Sequence, residues 1–177
     1  MIRLLSAELH RLELRARMPF RYGIATMTDV PQVILRATFE LDGAAQAGLA
    51  ADLLPPKWFT KDPARGLTDE VDEMLLVIRA ALRHAAALRT TTVFALWREL
   101  DTAQSAWGRT RTLPPLLTSF GTSFVERALL HALCRAHGTS LSLALRGNLV
   151  GAELAAVAPT LRGLAPGDFL PAVPLAA

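Results

Sequence analysis

The chain has 177 residues, of which 51% are hydrophobic, and a formal net charge of +3, so it is long enough to bury a core of its own. Its 19 basic residues are spread along the chain instead of forming the basic face that nucleic-acid binding requires. A single cysteine, Cys134, excludes an intrachain disulfide, and the charged N-terminal segment excludes a signal peptide or membrane span, so we expect a cytoplasmic protein with neither nucleic acid nor membrane as partner.

Three strands are predicted in the first third of the chain. Apolar and charged residues alternate over 11–20, which favours a half-buried strand, although Leu5, Leu9 and Leu12 also fit a helix at its start. The alternation over 33–41 is clearer. Asp42-Gly43 is typical of a tight hairpin turn, and Ala44–Asp52 forms the returning strand. The buried side of the first strand is predicted to carry Leu12, Leu14, Ala16, Met18 and Phe20.

Two helices are predicted to cover one face of this sheet as a helical hairpin. Thr68 is the predicted N-cap of the first helix, since Asp69 and Glu70 follow in its first turn. The apolar stripe of this helix contains Val71, Leu75, Ile78 and Leu82. The second helix has Leu96, Leu100, Ala103 and Trp107 on one face and is predicted to stop at Gly108, before a linker over 109–115.

A third helix is predicted to start near Ser119–Ser123, because Ser123 and Glu126 have the spacing of a capping box. Gly138 is its predicted end, and Ser140 opens a short helix that closes at Gly147. The apolar stripe of the third helix is predicted at Val125, Leu129, Leu133 and Ala136. The remainder, 148–177, is interrupted by Pro and Gly, and 167–173 favours a turn.

Few residues have a spacing that indicates catalysis or metal binding. His131, Cys134 and His137 resemble a metal site in spacing, but positions six apart on a helix point about 240° away from each other, which favours an ordinary amphipathic helix. Ser123 lacks the flanking glycines of a nucleophile elbow and is interpreted as a helix cap. No phosphate-binding glycine motif occurs in the sequence.

Two Pro-containing segments flank the second strand: PFRYGIATMTDVP at 19–31 and AADLLPPKWFTKDP at 50–63. Arg21 and Tyr22 could bind a carboxylate through a guanidinium and a hydroxyl, or Arg21 could simply lie in water. Lys57 and Lys61 are interpreted as belonging to a solvated loop whose aromatic residues pack onto the fold, with ligand contact as the alternative.

The order and spacing of these segments over residues 4–150 resemble the enolase superfamily, in particular the branch of mandelate racemases and muconate-lactonizing enzymes. The Gly138, Ser140 and Gly147 pattern resembles the family's passage from cap to barrel. The resemblance implies an α+β fold: a three-stranded antiparallel meander packed by a helical hairpin, followed by the lead-in helices of a (β/α) barrel. It divides the chain into a capping domain at 1–115, lead-in helices at 116–150 and an irregular tail at 151–177.

The resemblance also implies a function. In the family, barrel lysine or histidine bases and a Mg²⁺ ion on three barrel carboxylates abstract a proton next to a carboxylate, and all of these residues would follow Ala177. We therefore expect a truncated cap without catalytic residues, metal or cofactor of its own, the Mg²⁺ belonging to a full-length racemase, epimerase, cycloisomerase or dehydratase. The expected partners are a small carboxylate and a barrel domain or homo-oligomer. The implied substrate-binding residues are Arg21, Tyr22, Gly23, Ile24, Thr26, Leu54, Pro55, Lys57, Trp58 and Phe59. The alternative is a stand-alone binding module that reuses the cap fold.

Overall fold

Three consecutive strands form one antiparallel sheet in the order β1-β2-β3 in the computed structural model, which describes residues 1–172. The strands are β1 (Ile2–Tyr22), β2 (Ala25–Leu41) and β3 (Ala44–Leu53). The predicted α+β meander is therefore confirmed. The first strand begins at Ile2, so the helical alternative for its start is wrong.

The turn between β2 and β3 has the predicted geometry. Asp42 and Gly43 both have positive φ, at 50° and 85°, and Leu41 pairs with Ala44 directly across the turn. Two successive positive φ angles match the right-handed twist of the flanking strands. The turn sets the register in which Val33, Leu35, Ala37 and Phe39 of β2 all face the core with no exposed surface.

The far half of β1 is exposed, against the sequence prediction. Met18 and Phe20 are 64% and 57% exposed, and Leu12 and Leu14 are 46% and 37% exposed. The reason is that β3 ends at Leu53, opposite Gln32, so the sheet narrows beyond this point to the two strands β1 and β2. This two-stranded extension, residues 12–31, is called the hairpin arm below.

Five α-helices follow within residues 1–172: α1 (Leu67–Ala87), α2 (Val93–Thr110), α3 (Pro115–Ala136), α4 (Leu141–Arg146) and α5 (Leu154–Val157), with 3₁₀ helices at Pro159–Leu161 and Pro166–Asp168. Gly66, not Thr68, is the N-cap of α1. The predicted end of α3 at Gly138 is confirmed by its φ of 57°, and Ser140 caps α4 by accepting from the Leu143 amide at 3.4 Å. None of the helices within residues 1–172 is long and apolar enough to span a membrane.

The predicted boundary between α2 and α3 is wrong on both sides. The second helix continues through Gly108 to Thr110. Gly108 is required by packing and not by a helix end: a Cβ at this position would lie 2.4 Å from the Thr118 Oγ1 atom. The third helix begins at Pro115, a residue suited to a first helical turn, and the linker shortens to 111–114. Ser123 therefore lies inside α3, where its hydroxyl donates to the Phe120 carbonyl at 2.8 Å.

Helix α3 is the central element of the helical layer. It packs on β3 and β2, whereas α1 packs against β1 and α2 against the other two long helices. Gln104 of α2 is fully buried and donates to the carbonyls of Val77 on α1 (2.9 Å) and Thr118 on α3 (3.3 Å). The apolar stripe of α3 is buried at Val125, Leu129 and Leu133, while Ala136 is exposed.

Two glycines allow α3 to approach its neighbours closely. A Cβ on Gly48 of β3 would lie 1.9 Å from the Ala128 carbonyl oxygen, and a Cβ on Gly121 of α3 would lie 2.3 Å from the Val77 carbonyl oxygen. Both obstacles are backbone atoms, which cannot move aside as a flexible side chain can. Helix α3 can therefore lie this close to the sheet and to α1 only because Gly48 and Gly121 have no Cβ atom.

The predicted irregular tail contains short helical turns. Arg146 of α4 donates to the carbonyl of Gly167 at 3.1 Å and to that of Leu170, which ties the segment after α5 to the helical layer. The turn predicted over 167–173 overlaps the 3₁₀ helix at Pro166–Asp168. The positions 173–177 lie outside the described residues.

We predict that Gly48→Ala destabilises the fold by about 1–3 kcal/mol or more, because the new methyl group forces β3 away from α3. Urea unfolding followed by circular dichroism measures this loss. Gly147→Ala is the matched control: its φ is −75° and a new Cβ would lie 3.2 Å from the Leu143 carbonyl oxygen, a close contact and not an overlap, so we expect a clearly smaller loss of at most about 1 kcal/mol. Equal stability of the Gly48→Ala variant and the unsubstituted chain would contradict the proposed packing constraint.

Candidate functional site

A cavity of about 530 Å³ opens between the hairpin arm, the segment after β3 and the first turns of α3. Its wall is mostly aromatic and aliphatic. We call it the aromatic cavity, and its lining residues are Phe20, Tyr22, Met27, Asp52, Leu53, Pro55, Trp58, Phe59, Leu116, Ser119, Phe120 and Ser123. The two segments that the sequence singled out therefore meet on one site, together with a helix that it did not assign to the site.

The first of these segments is a hairpin and not a loop. Phe20 pairs with Met27 and Tyr22 with Ala25, and the chain reverses at Gly23, whose φ is 51°. Because side chains alternate along a strand, Phe20 and Tyr22 point to the same side, and their rings stack at 5.8 Å. This alternation directs Phe20 and Tyr22 into the aromatic cavity.

The second segment, residues 54–66, is held by a buried ion pair, and we call it the Lys57 loop. The Lys57 ammonium donates to Glu70 Oε1 at 2.8 Å and to the carbonyls of Asp62 (2.8 Å) and Arg65 (2.6 Å). The Lys57 amide also donates to Glu70 Oε2. All three ammonium protons thus have acceptors, and both oxygens of the carboxylate are used.

The interpretation of Lys57 as a solvated loop residue is wrong. Its side chain and that of Glu70 are only 7% and 6% exposed, and its φ is 64°. The left-handed backbone turns the chain so that one residue presents both its amide and its ammonium to the same carboxylate. Such a pair specifies one loop conformation, because either charge left alone in the interior would be strongly unfavourable.

Tyr22 joins the hairpin arm to the Lys57 loop. Its hydroxyl donates to the Pro56 carbonyl at 2.5 Å, and its ring lies 5.8 Å from that of Trp58. Burial raises the pKa of the Tyr22 phenol, and the negative charge of Glu70 raises it further. The phenol therefore stays protonated and acts as a donor between the two segments.

A second aromatic group forms the floor of the cavity. The ring of Phe59 packs on that of Phe120 at 5.1 Å, and Phe120 makes an edge-to-face contact with Phe124 at 5.1 Å. Phe124 is fully buried in the core. The aromatic cavity is therefore continuous with the hydrophobic core through the ring contacts of α3.

Of the ten predicted site residues, the structure brings four to the cavity wall: Tyr22, Pro55, Trp58 and Phe59. Leu54 is fully buried in the core and Lys57 belongs to the ion pair, so both support the loop without lining the cavity. The other four lie on the hairpin arm away from the cavity wall: Arg21, Gly23, Ile24 and Thr26.

The Arg21–Tyr22 carboxylate site is not assembled. Arg21 is exposed, pairs across the arm with Thr26 and does not line the cavity, since neighbouring residues on a strand point to opposite sides. The Tyr22 hydroxyl is already bonded to Pro56. The two groups therefore cannot act on one ligand from this conformation.

Several lining residues were missed by the sequence analysis. Phe20 and Met27 could have been found from their spacing to Tyr22 in a hairpin, had the segment not been assigned as a loop. The residues from α3 are Leu116, Ser119, Phe120 and Ser123. Their i, i+3, i+4, i+7 spacing marks one face of a helix, but the predicted start of α3 excluded its first turns.

The charged residues beside the cavity are paired. Asp52 lies 3.1 Å from Arg127 Nη2, and Arg127 also donates to the Ala51 carbonyl at 3.0 Å and lies over the Phe124 ring at 4.8 Å. His131 accepts the Leu49 amide proton on its Nδ1 atom at 2.9 Å, so Arg127 and His131 of α3 bond the free edge of β3.

The described residues contain no set of side chains suited to binding a metal ion. Among residues 1–172 no three His, Cys, Asp or Glu side chains lie close enough together to hold an ion. His131 is engaged with β3, and His137 caps the end of α3 on another side of the helix. The helix interpretation of the His131, Cys134 and His137 spacing agrees with these positions.

Neither a family model nor a curated protein matches the sequence. Solved structures do match. A mandelate racemase/muconate lactonizing enzyme-like protein from Rubrobacter xylanophilus is 17% identical with a TM-score of 0.54, over 81% of this chain and 33% of that one. An enolase from Bradyrhizobium, complexed with magnesium and mandelic acid, is 15% identical with a TM-score of 0.52, over 81% and 34%. The L-Ala-D/L-Glu epimerase from Bacillus subtilis is 20% identical with a TM-score of 0.51, over 81% and 34%.

The chain shares its fold with one part of each of these enolase-like and mandelate racemase-like proteins. The match extends over four fifths of this chain and about a third of the length of each of these proteins. At these identities the likeness establishes the fold, including the meander and the helices that follow it. The fold resemblance inferred from the two segments, the Asp42-Gly43 turn and the Gly138–Gly147 pattern is thereby confirmed.

We predict that Glu70→Leu destabilises the chain by about 3–5 kcal/mol, because it leaves the Lys57 ammonium buried without a counter-charge. The double variant Lys57→Met/Glu70→Leu removes both charges and should recover most of this loss. Urea unfolding of the two variants measures the difference. The Arg65–Glu73 pair (3.0 Å), whose side chains are 33% and 17% exposed, is the less buried control, and Glu73→Gln should cost clearly less than Glu70→Leu, about 1 kcal/mol. A double variant as unstable as Glu70→Leu would contradict the argument.

We predict that tyrosinate absorbance of the folded chain titrates with a midpoint above 10.0, the ordinary pKa, and at 10.0 in denaturant. Tyr22 is the only tyrosine, so the signal reports this residue alone. Because the pKa is raised on folding, its contribution to stability is complete below pH 10 and is lost as the pH rises through the folded value. Tyr22→Phe should abolish the signal and lose less stability over this pH window; a folded midpoint at or below 10.0 would contradict the burial of the phenol.

Proposed function

We propose that this chain is the substrate-closing cap of a longer enzyme that abstracts a proton next to a carboxylate with Mg²⁺, as a racemase, epimerase, cycloisomerase or dehydratase. The observation that carries the proposal is the aromatic cavity, built by two segments at one end of a fold that matches about a third of such enzymes. We place the enzyme in the cytoplasm, with a small carboxylate as substrate and the rest of the enzyme as partner of the cap.

The proposal gives the residues of the site three roles. Tyr22, Pro55, Trp58 and Phe59 contact the part of the substrate that lies far from the reacting carbon. Leu54 and Lys57 position the Lys57 loop from beneath. The exposed tip of the arm, with Arg21, Gly23, Ile24 and Thr26, faces the remainder of the enzyme.

The Mg²⁺ of such an enzyme does not fit this chain. The acidic residues nearest the cavity are committed: Asp52 to Arg127 and Glu70 to Lys57. A hard divalent cation needs several free oxygen ligands, which no cluster within residues 1–172 supplies. The ion and the proton-abstracting bases would therefore belong to the rest of the enzyme, and what this chain contributes is binding, orientation and exclusion of water.

A stand-alone binding module is the second candidate. It is favoured by the exposed apolar residues of the hairpin arm, since Met18, Phe20 and Ile24 are each more than half exposed. Such a patch marks an interaction surface. The two proposals differ in what covers the arm: the same polypeptide in the first, a separate molecule in the second.

We predict that antibodies against residues 1–177 detect in the source cells a polypeptide clearly larger than 19.1 kDa, the mass of this chain. Purified with Mg²⁺, that polypeptide should incorporate solvent deuterium next to the carboxylate of mandelate or of an alanyl-glutamate dipeptide, as observed by proton NMR. Removal of Mg²⁺ with a chelator should abolish the exchange.

The isolated 177-residue chain is the matched control for this experiment. It should show no exchange and no micromolar Mg²⁺ binding by calorimetry, because the ligands are not in the part of it that the structure describes. A native product of only 19.1 kDa would overturn the proposal in favour of the stand-alone module.

A further inference from the structure

We propose that the aromatic cavity takes a neutral, apolar group the size of an aryl ring, and that the substrate therefore ends in such a group and not in a second charge. This inference names the substrate class of the proposed function. It rests on that function only in calling the bound molecule a substrate. The chemistry of the cavity itself rests on the described side chains.

The wall of the cavity is suited to an apolar ring. Eight of its twelve lining residues are aromatic or large and aliphatic, and Pro55 adds a further apolar surface. A volume of about 530 Å³ lies within the range of small-molecule sites. Phe20 and Trp58 are each more than half exposed, so a ligand that covers them removes apolar surface from water.

Among the described residues, no cation lines the cavity to meet a negatively charged end group. Lys57 has its three acceptors below the loop, and Arg21 is directed away from the cavity wall. Arg127 is paired with Asp52, which is the one charged residue in the lining. A carboxylate bound here would lose its water without gaining an ion pair, which is strongly unfavourable.

The one anion in the described lining, Asp52, already has a counter-charge, since its carboxylate lies 3.1 Å from Arg127 Nη2, so a positively charged end group would have to compete with Arg127. Two of the three hydroxyl groups on the wall already donate, that of Tyr22 to the Pro56 carbonyl and that of Ser123 to the Phe120 carbonyl. The third, on the exposed Ser119, offers a ligand one neutral hydroxyl and no charge. The cavity thus discriminates against both charges and favours a neutral ring.

The test uses the indole N–H signals of the ¹⁵N-labelled 177-residue chain. The chain has three tryptophans, and only Trp58 lines the cavity, so Trp97 and Trp107 are internal controls; Trp58→Phe assigns the signals. Three probes are titrated separately: benzyl alcohol, glutarate and butylammonium. We expect benzyl alcohol to shift the Trp58 signal saturably, and the two charged probes to leave it in place at the same concentrations.

A pair of matched variants locates the binding. Phe20→Ser removes a large apolar contact from the wall and should weaken benzyl alcohol binding about tenfold. Ile24→Ser is the control, because Ile24 lies on the same arm, is 58% exposed and does not line the cavity, so binding should be unchanged. An unaltered affinity in Phe20→Ser overturns the assignment.

The remaining outcomes are also decisive. A Trp58 shift with glutarate or butylammonium at concentrations at which benzyl alcohol has no effect overturns the inference, and so does the absence of a Trp58 shift with all three probes. If benzyl alcohol binds as expected but the native product is only 19.1 kDa, the proposed function fails and the inference stands. If the longer enzyme prefers the alanyl-glutamate dipeptide to mandelate, the inference fails and the proposed function stands.

Discussion

The close approach of α3 to its neighbours is the constraint on which the rest of the molecule depends. Gly48 and Gly121 bring the backbone of α3 against backbone atoms of β3 and α1, at separations that leave no space for a methyl group. At this distance Phe124, Val125 and Ala128 of α3 pack into the core with no exposed surface. The first turns of the same helix then reach past the sheet, and this places Phe120 under the aromatic cavity.

A series of contacts that starts at α1 holds the two segments around the cavity. Glu70 holds Lys57, which sets the path of the Lys57 loop, and the loop then offers the Pro56 carbonyl to the Tyr22 hydroxyl. The first link is buried and charged, whereas the last is a single hydrogen bond at the edge of a two-stranded arm. The Lys57 loop is therefore the firmer wall of the cavity, and the hairpin arm is the wall with fewer contacts to hold it.

Local sequence signals predicted the parts of the fold that local physics decides. The alternation over 33–41 matched β2, the two residues Asp42 and Gly43 made the expected turn, and Gly138, Ser140 and Gly147 marked the ends of α3 and α4. These features depend on backbone preferences and a one-sided burial pattern. The comparison with known structures then confirmed the fold as a whole.

The same kind of signal failed where a second element changed its meaning. The Ser123–Glu126 spacing of a capping box occurs in the middle of α3, and Gly108, which should end a helix, instead lets Thr118 approach it. The alternation over 11–20 predicted a buried face, but the third strand ends at Leu53 and leaves that face in water. The sequence pattern predicted a solvated Lys57, because its partner Glu70 lies on another element and leaves no local signal.

By itself, the sequence determined the meander, its tight turn and the order of helices, since those follow from side-chain periodicity and from residues with special backbone preferences. It also singled out the two segments that line the site. Only the tertiary structure decided that Lys57 is buried, that Arg21 and Tyr22 point to opposite sides, and that α3 supplies the floor of an apolar cavity. Those are consequences of which elements meet, and contacts between residues distant in the chain leave no period in the sequence.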